Sequence, residues 1–149
     1  MKKISAGLIL TNKTHFLGCH STGNWFYDIP KGAIEENETP LEACIREVKE
    51  ETNVDVSNES LIDLGVFDYN YEKKLHLFLL IKDDLPSTDN MVCTTYFTQA
   101  KTGEERPEVD RFRYIPFKEK KQFLTENMRR VIEKVEIELP QCPIKNEAS

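Results

Sequence analysis

The chain has 149 residues, 39% of them hydrophobic, and a formal net charge of −6. This length fits one domain, residues 1–149, with a single modest core. The acidic balance argues against a broad basic face for non-specific nucleic-acid binding. No apolar run approaches the roughly 18 residues of a membrane span, and the apolar stretch after Met1-Lys2-Lys3 is too short for a signal peptide.

Residues 4–10 and 16–19 read as two strands paired around the turn-rich Thr11-Asn12-Lys13-Thr14. Residues 25–29 are a short aromatic approach to the loop Asp28-Ile29-Pro30-Lys31-Gly32. Next comes a helix over Pro40–Thr52. Thr39, Pro40 and Glu42 spell a capping box with proline at the first helical position. Leu41, Cys44, Ile45 and Val48 fall on one stripe at helical spacing. Asn53 suits the left-handed residue that ends many helices.

Residues 61–71 and 75–81 are two further strands, joined near Glu72-Lys73-Lys74. Residues 83–90 are a polar connection to another strand, 91–98. Residues 101–110 are a charged loop, and 111–115 a short extended piece. From Phe117 onward the pattern is helical, with Phe123, Leu124, Met128, Val131, Ile132 and Val135 recurring at helical spacing. Pro140 stops this helix and leaves residues 140–149 as a loose tail. The expected class is α/β, a mixed sheet between helices.

Cys19, Cys44, Cys93 and Cys142 form no Cys-x-x-Cys pair, which argues against a structural zinc site and for reduced thiols. His15, His20 and His76 show no ligand spacing and read as structural or surface residues.

The chemistry concentrates in the first helix. Glu47, Glu50 and Glu51 sit at i, i+3 and i+4, within an arc of roughly 100° beside the apolar stripe. Like charges this close repel, and a cation between them removes the conflict. Carboxylate oxygens suit Mg²⁺ or Mn²⁺ rather than zinc. An ordinary solvated acidic face is the competing explanation. Against it stand the preceding loop and Arg46, because chance agreement at six specified positions is rarer than about one in a million per start position.

Gly32 to Val54 resembles the signature of the Nudix hydrolases: Gly, five residues, Glu, seven residues, Arg-Glu, an apolar residue, any residue, Glu-Glu, any residue, Gly, an apolar residue. Every specified position matches except Asn53, which stands where the family has Gly; both accept positive φ. The resemblance implies an α/β/α sandwich and a hydrolase of a nucleoside diphosphate linked to another group, and the reduced thiols fit a cytoplasmic protein. A bacterial cell or a phage-infected host fits such a small enzyme. It makes Glu47 and Glu51 the principal ligands of Mg²⁺ or Mn²⁺. Glu50 becomes a third ligand or orients the attacking water, and the backbone carbonyl of Lys31 or Gly32 adds a ligand. Arg46 and Glu38 are expected to pair and hold the loop and helix in shape.

Glu108-Val109-Asp110-Arg111-Phe112-Arg113-Tyr114 is similar to a late segment of the diadenosine tetraphosphate hydrolase branch. There the Glu joins the metal site, a role carried here to Glu108 with Glu104 and Glu105 as competitors. Tyr71, seventeen residues beyond Val54, and the loop from Trp25 to Gly32 resemble the same branch. Tyr71 and Trp25 are thus expected to meet the base, and Lys31, Lys73 or Lys74 the polyphosphate. Tyr71 as a packed sheet residue and Lys73-Lys74 as a plain hairpin tip remain open. Dinucleoside polyphosphates are the first substrate choice. ADP-ribose, FAD, NADH or a 5′-capped RNA end is the alternative. A nucleotide sensor without turnover is the third reading.

Overall fold

The computed structural model describes residues 3–141. β1 (Lys3–Thr11), β2 (His15–Ser21), β3 (Tyr27–Asp28) and β4 (Lys31–Ala33) precede helix α1 (Pro40–Thr52). β5 (Ile62–Asp68), β6 (Lys73–Ile81), β7 (Tyr96–Thr98), β8 (Glu105–Pro107) and β9 (Val109–Pro116) follow it. The chain then forms α2 (Lys120–Phe123) and α3 (Glu126–Glu138). The main sheet runs β3-β2-β1-β6-β5, with β4 also paired to β1 and β9 to β2. β1 and β6 are parallel, in register from Lys3↔Lys73 to Thr11↔Ile81, and the other pairings are antiparallel, so the sheet is mixed.

Strand alternation divides the core into two layers. From β6, Leu75, Leu77, Leu79 and Ile81 pack with Met128, Val131, Ile132 and Val135 of α3. Phe78 and Leu80 turn the other way, to Ala43, Cys44 and Val48 of α1. β1 divides likewise, with Ile9 toward α3 and Ala6, Leu8 and Leu10 toward α1. Each such aliphatic side chain contributes roughly 1.5–3 kcal/mol on burial. A sheet buried on both faces explains why residues 75–81 read as a nearly continuous apolar run. Among the described residues, no helix is long and apolar enough to cross a membrane.

The helix predicted over Pro40–Thr52 has those bounds. Elsewhere the structure corrects the reading. The strand expected over residues 91–98 is confined to Tyr96–Thr98, paired with a strand inside the expected charged loop 101–110. Residues 92 and 94 give their backbone N–H groups to α1 instead: Val92 to Thr52 O at 3.2 Å and Thr94 to Glu50 O at 2.7 Å. β5 ends at Asp68 rather than 71, because Asn70 Oδ1 accepts from the N–H groups of Glu72 and Lys73 and makes the turn there. The helix expected from Phe117 is divided by Thr125, which is extended and whose hydroxyl caps α3 by accepting from Met128 N–H. Gly32, expected in a loop, pairs with Ala6 in β4. The tail beyond residue 141, with Cys142, lies outside the described residues.

Candidate active site

Local rules set the helix that carries the acids. Thr39 Oγ1 accepts from Glu42 N–H at 3.1 Å, and Glu42 Oε1 accepts from Thr39 N–H at 2.9 Å. Such a cap is worth about 1 kcal/mol. At the other end Asn53 adopts φ 64° and returns its N–H to Lys49 O. The middle of the helix is tied to β4 by Gly32. A Cβ there would lie 2.1 Å from Cδ of Glu47, so only glycine lets that carboxylate lie against the strand.

Arg46 organises the acids. Its Nε donates to Glu38 Oε2 at 2.7 Å, and its Nη1 donates to both Glu47 Oε1 and Glu50 Oε2 at 2.8 Å. Its Nη2 donates to Ala33 O at 2.9 Å and to Glu38 Oε1 at 3.0 Å. The fork of one guanidinium thus joins β4, the loop before α1 and two helix carboxylates. These contacts hold the Arg46 pKa above its ordinary value and pull that of Glu38 below its own.

Glu51 is treated differently. It is 9% exposed, and its Oε1 accepts from Lys31 N–H at 3.3 Å. Burial, partly opposed by the Lys31 charge and reinforced by Glu47 and Asp28, pushes its pKa up to about 8. Burial raises the pKa of Glu47 as well, with the Glu50 and Glu108 charges adding to it. Glu51 and Glu108 line a cleft of about 150 Å³ with Asp28 and Lys31. Lys31 Nζ lies 3.0 Å from Asp28 Oδ2, and that pairing holds the ammonium above its usual pKa.

These residues fit a hard divalent cation by their chemistry. The donors are oxygens, and Glu51 is a buried acid whose ionisation lacks a full counter-charge. Glu47 and Glu50 each spend one oxygen on Arg46 and keep the other. Among the described residues, no three acidic, histidine or cysteine side chains are already gathered as a metal cage.

Of the other sequence candidates, Glu104 and Glu105 are exposed and do not line this cleft. Trp25, 66% exposed, stands edge-on to Phe26 at 5.7 Å. Lys73 opens β6 at the surface. Tyr71 is 97% exposed and borders a separate cleft with α3, so it is not packed into the sheet.

Two features escaped the sequence. Thr94 donates both its N–H and its hydroxyl to Glu50 O, at 2.7 and 2.9 Å. It thereby satisfies a carbonyl that the helix end leaves open. On the next residues Thr95 O accepts from Glu108 N–H at 3.0 Å, so one segment links α1 to the cleft's second carboxylate. The other is buried His20, whose Nδ1 lies 2.5 Å from Asp110 Oδ1 and whose Nε2 lies 2.9 Å from Arg111 Nη2. The same Arg111 Nη2 lies 3.2 Å from Nδ1, so the guanidinium faces both ring nitrogens. The His20↔Arg111 register pair was the available signal, but strand pairing is invisible in a single sequence.

The NUDIX domain family model matches residues 1–135. An uncharacterized 17.7 kDa protein of Enterobacteria phage T4 is 38% identical over 127 residues, covering 78% of this chain and 83% of that protein. The fold is similar to that of the E. coli dihydroneopterin triphosphate pyrophosphohydrolase, with TM-score 0.66, 20% identity, and coverage of 92% of this chain and 98% of that one. It is equally similar to a C. elegans Ap4A hydrolase, with TM-score 0.66, 18% identity, and coverage of 94% and 99%. With its glycine, arginine and glutamate framework assembled as described, the chain belongs to the NUDIX domain family and is a pyrophosphohydrolase of it.

Proposed function

We propose that this hydrolase cleaves dinucleoside polyphosphates such as diadenosine tri- and tetraphosphate, with Mg²⁺ or Mn²⁺ as cofactor. The observation that carries the reading is the convergence of Glu51 and Glu108 on one cleft beside Lys31, with Glu47 and Glu50 steered by Arg46. Glu47, Glu50, Glu51 and Glu108 would hold the cation, with the backbone carbonyl of Lys31 or Gly32. When bound, it supplies charge neutralisation at the phosphate oxygens and a lowered pKa for the attacking water.

The protein's own groups set the rest of the reaction. Arg46 keeps Glu47 and Glu50 aimed by holding one oxygen of each. Burial favours the protonated form of Glu51, and a bound cation would favour its ionised form. Lys31 stays charged and offers an ammonium to the polyphosphate. Glu50 or Glu108 orients the water by accepting its hydrogen bond. The preference for dinucleotides is supported by Tyr71, an exposed ring that can stack a base for about 1–3 kcal/mol. Cytoplasmic action on a free nucleotide by a single domain completes the proposal.

The test is a substrate panel with Mg²⁺ or Mn²⁺, products resolved by chromatography. It contains diadenosine tri- and tetraphosphate, ADP-ribose, FAD, NADH, nucleoside triphosphates and a 5′-capped RNA. Faster cleavage of the diadenosine compounds is expected. Faster cleavage of ADP-ribose, FAD, NADH or capped RNA would replace the substrate assignment. Binding without any cleavage would make the protein a sensor.

A further inference from the structure

A second cleft, of about 600 Å³, opens between the β5–β6 turn and α3. Tyr69 and Tyr71 form one wall, and Asn127, Arg130 and Lys134 the other. Tyr69 also stands near the carboxylate cleft. Lys31 Nζ, which lines the smaller cleft, lies 6.0 Å from the Tyr69 ring centroid. The Tyr69 side chain also faces Thr125, the cap of α3. The two spaces are therefore neighbours.

The charge on the α3 wall is unusual for this molecule. Arg130 and Lys134 are one helical turn apart and project into the same cleft. Lys134 makes no ion pair among the described residues. Among the described residues Arg130 pairs at the solvent edge, where its Nη2 meets Glu126 Oε1 at 3.1 Å and both side chains are more than half exposed. The acid in the cleft, Asp68, lies 4.0 Å from Lys74. A chain of net charge −6 repels a polyphosphate at long range. Two cations facing an open cavity beside a phosphate-cleaving site offset that repulsion where it matters. The third requirement, a face for a base, is met by the exposed ring of Tyr71 on the opposite wall.

We infer that Arg130 and Lys134 draw the polyphosphate into this cleft, beside the Tyr71 ring already assigned to the base, and favour the longer chain. The inference rests on the dinucleoside polyphosphate reading and assigns specificity to α3, outside the family signature.

The test is steady-state kinetics of Arg130→Ala/Lys134→Ala with Mg²⁺ at two ionic strengths, on diadenosine tetraphosphate, diadenosine triphosphate and ADP-ribose. Both side chains are exposed, so the fold should survive, and Tm is measured as a check. KM for the tetraphosphate should rise roughly tenfold, that for the triphosphate less, and that for ADP-ribose under about twofold, as expected for losing charge-assisted phosphate contacts. The kcat on the tetraphosphate should hold. The salt dependence of kcat/KM should weaken in the variant, and Arg130→Lys should retain most of it. Tyr71→Ala should raise KM for the same substrate, with rescue by Tyr71→Phe. If the wild type cleaves the tetraphosphate and the double variant matches it, or loses equally on all three substrates, the cleft assignment is wrong and the substrate reading stands. If the wild type leaves dinucleotides intact while cleaving other pyrophosphates, both fall together.

Discussion

Gly32 and Glu47 are fitted to each other. A methyl group at position 32 would overlap the Glu47 carboxyl, so Gly32→Ala should expel that carboxylate from β4 and cut turnover on the order of 10²-fold while the fold persists. Circular dichroism beside a rate measurement separates the two effects. Arg46 distributes five hydrogen bonds over three carboxylates and one carbonyl. A lysine is a point charge and cannot reproduce that fork, so Arg46→Lys should weaken Mg²⁺ activation by about 10–100-fold. Unchanged Mg²⁺ dependence in that variant would remove Arg46 from its positioning role. Glu51 gives a pH signature. Its pKa rises on folding from 4.5 to about 8, so the metal-free fold favours the protonated acid. That contribution is complete below about pH 4.5 and is lost as pH rises through about 8, with a slope of at most about 1.4 kcal/mol per unit. In EDTA the protein should lose stability across that window, and Glu51→Gln should flatten the loss. Thermal unfolding at a series of pH values reads both, and an unaltered slope in the variant would show that another group titrates.

The helix α1 was legible because its signals are local. Thr39, Glu42 and Asn53 act within one turn of the helix ends, and their geometry is as the sequence implied. The segment after Asn90 was not legible, because its partners are distant: Thr94 bonds Glu50, 44 positions away. A β-rich stretch such as Met91-Val92-Cys93-Thr94-Thr95 reads as a strand until α1's open carbonyls claim its donors. The same holds for β4, whose three residues look like a loop and become a strand only opposite Ser5, Ala6 and Gly7. Thr94 also makes a prediction about how elements cooperate. Thr94→Val keeps the backbone bond to Glu50 O and removes the hydroxyl's, at about 1 kcal/mol of stability. Because Thr95 continues to Glu108, the variant should raise the Mg²⁺ concentration for half-maximal turnover several-fold, and Thr94→Ser should restore it. A fall in Tm without that shift would make the contact structural alone.

Two helix layers around a mixed sheet leave the acids of α1 and the start of β9 on a common edge, and the proposed active site lies there. The acidic helix was visible in the sequence as a like-charge cluster needing a cation. The approach of Glu108 to Glu51 was implied only by family resemblance, since no spacing rule joins positions 57 residues apart. The α3 cations were not visible at all, because Arg130 and Lys134 read as the solvated side of an amphipathic helix until the β5–β6 turn is placed opposite them. The measurement that bears most directly on the account is a Mg²⁺ titration of diadenosine tetraphosphate hydrolysis by the wild type and Glu51→Gln. Saturable, Mg²⁺-dependent nucleotide release by the wild type, reduced on the order of 10²-fold or more in the variant, is the predicted result. Full activity in Glu51→Gln, or hydrolysis that persists in EDTA, would contradict the carboxylate site described here.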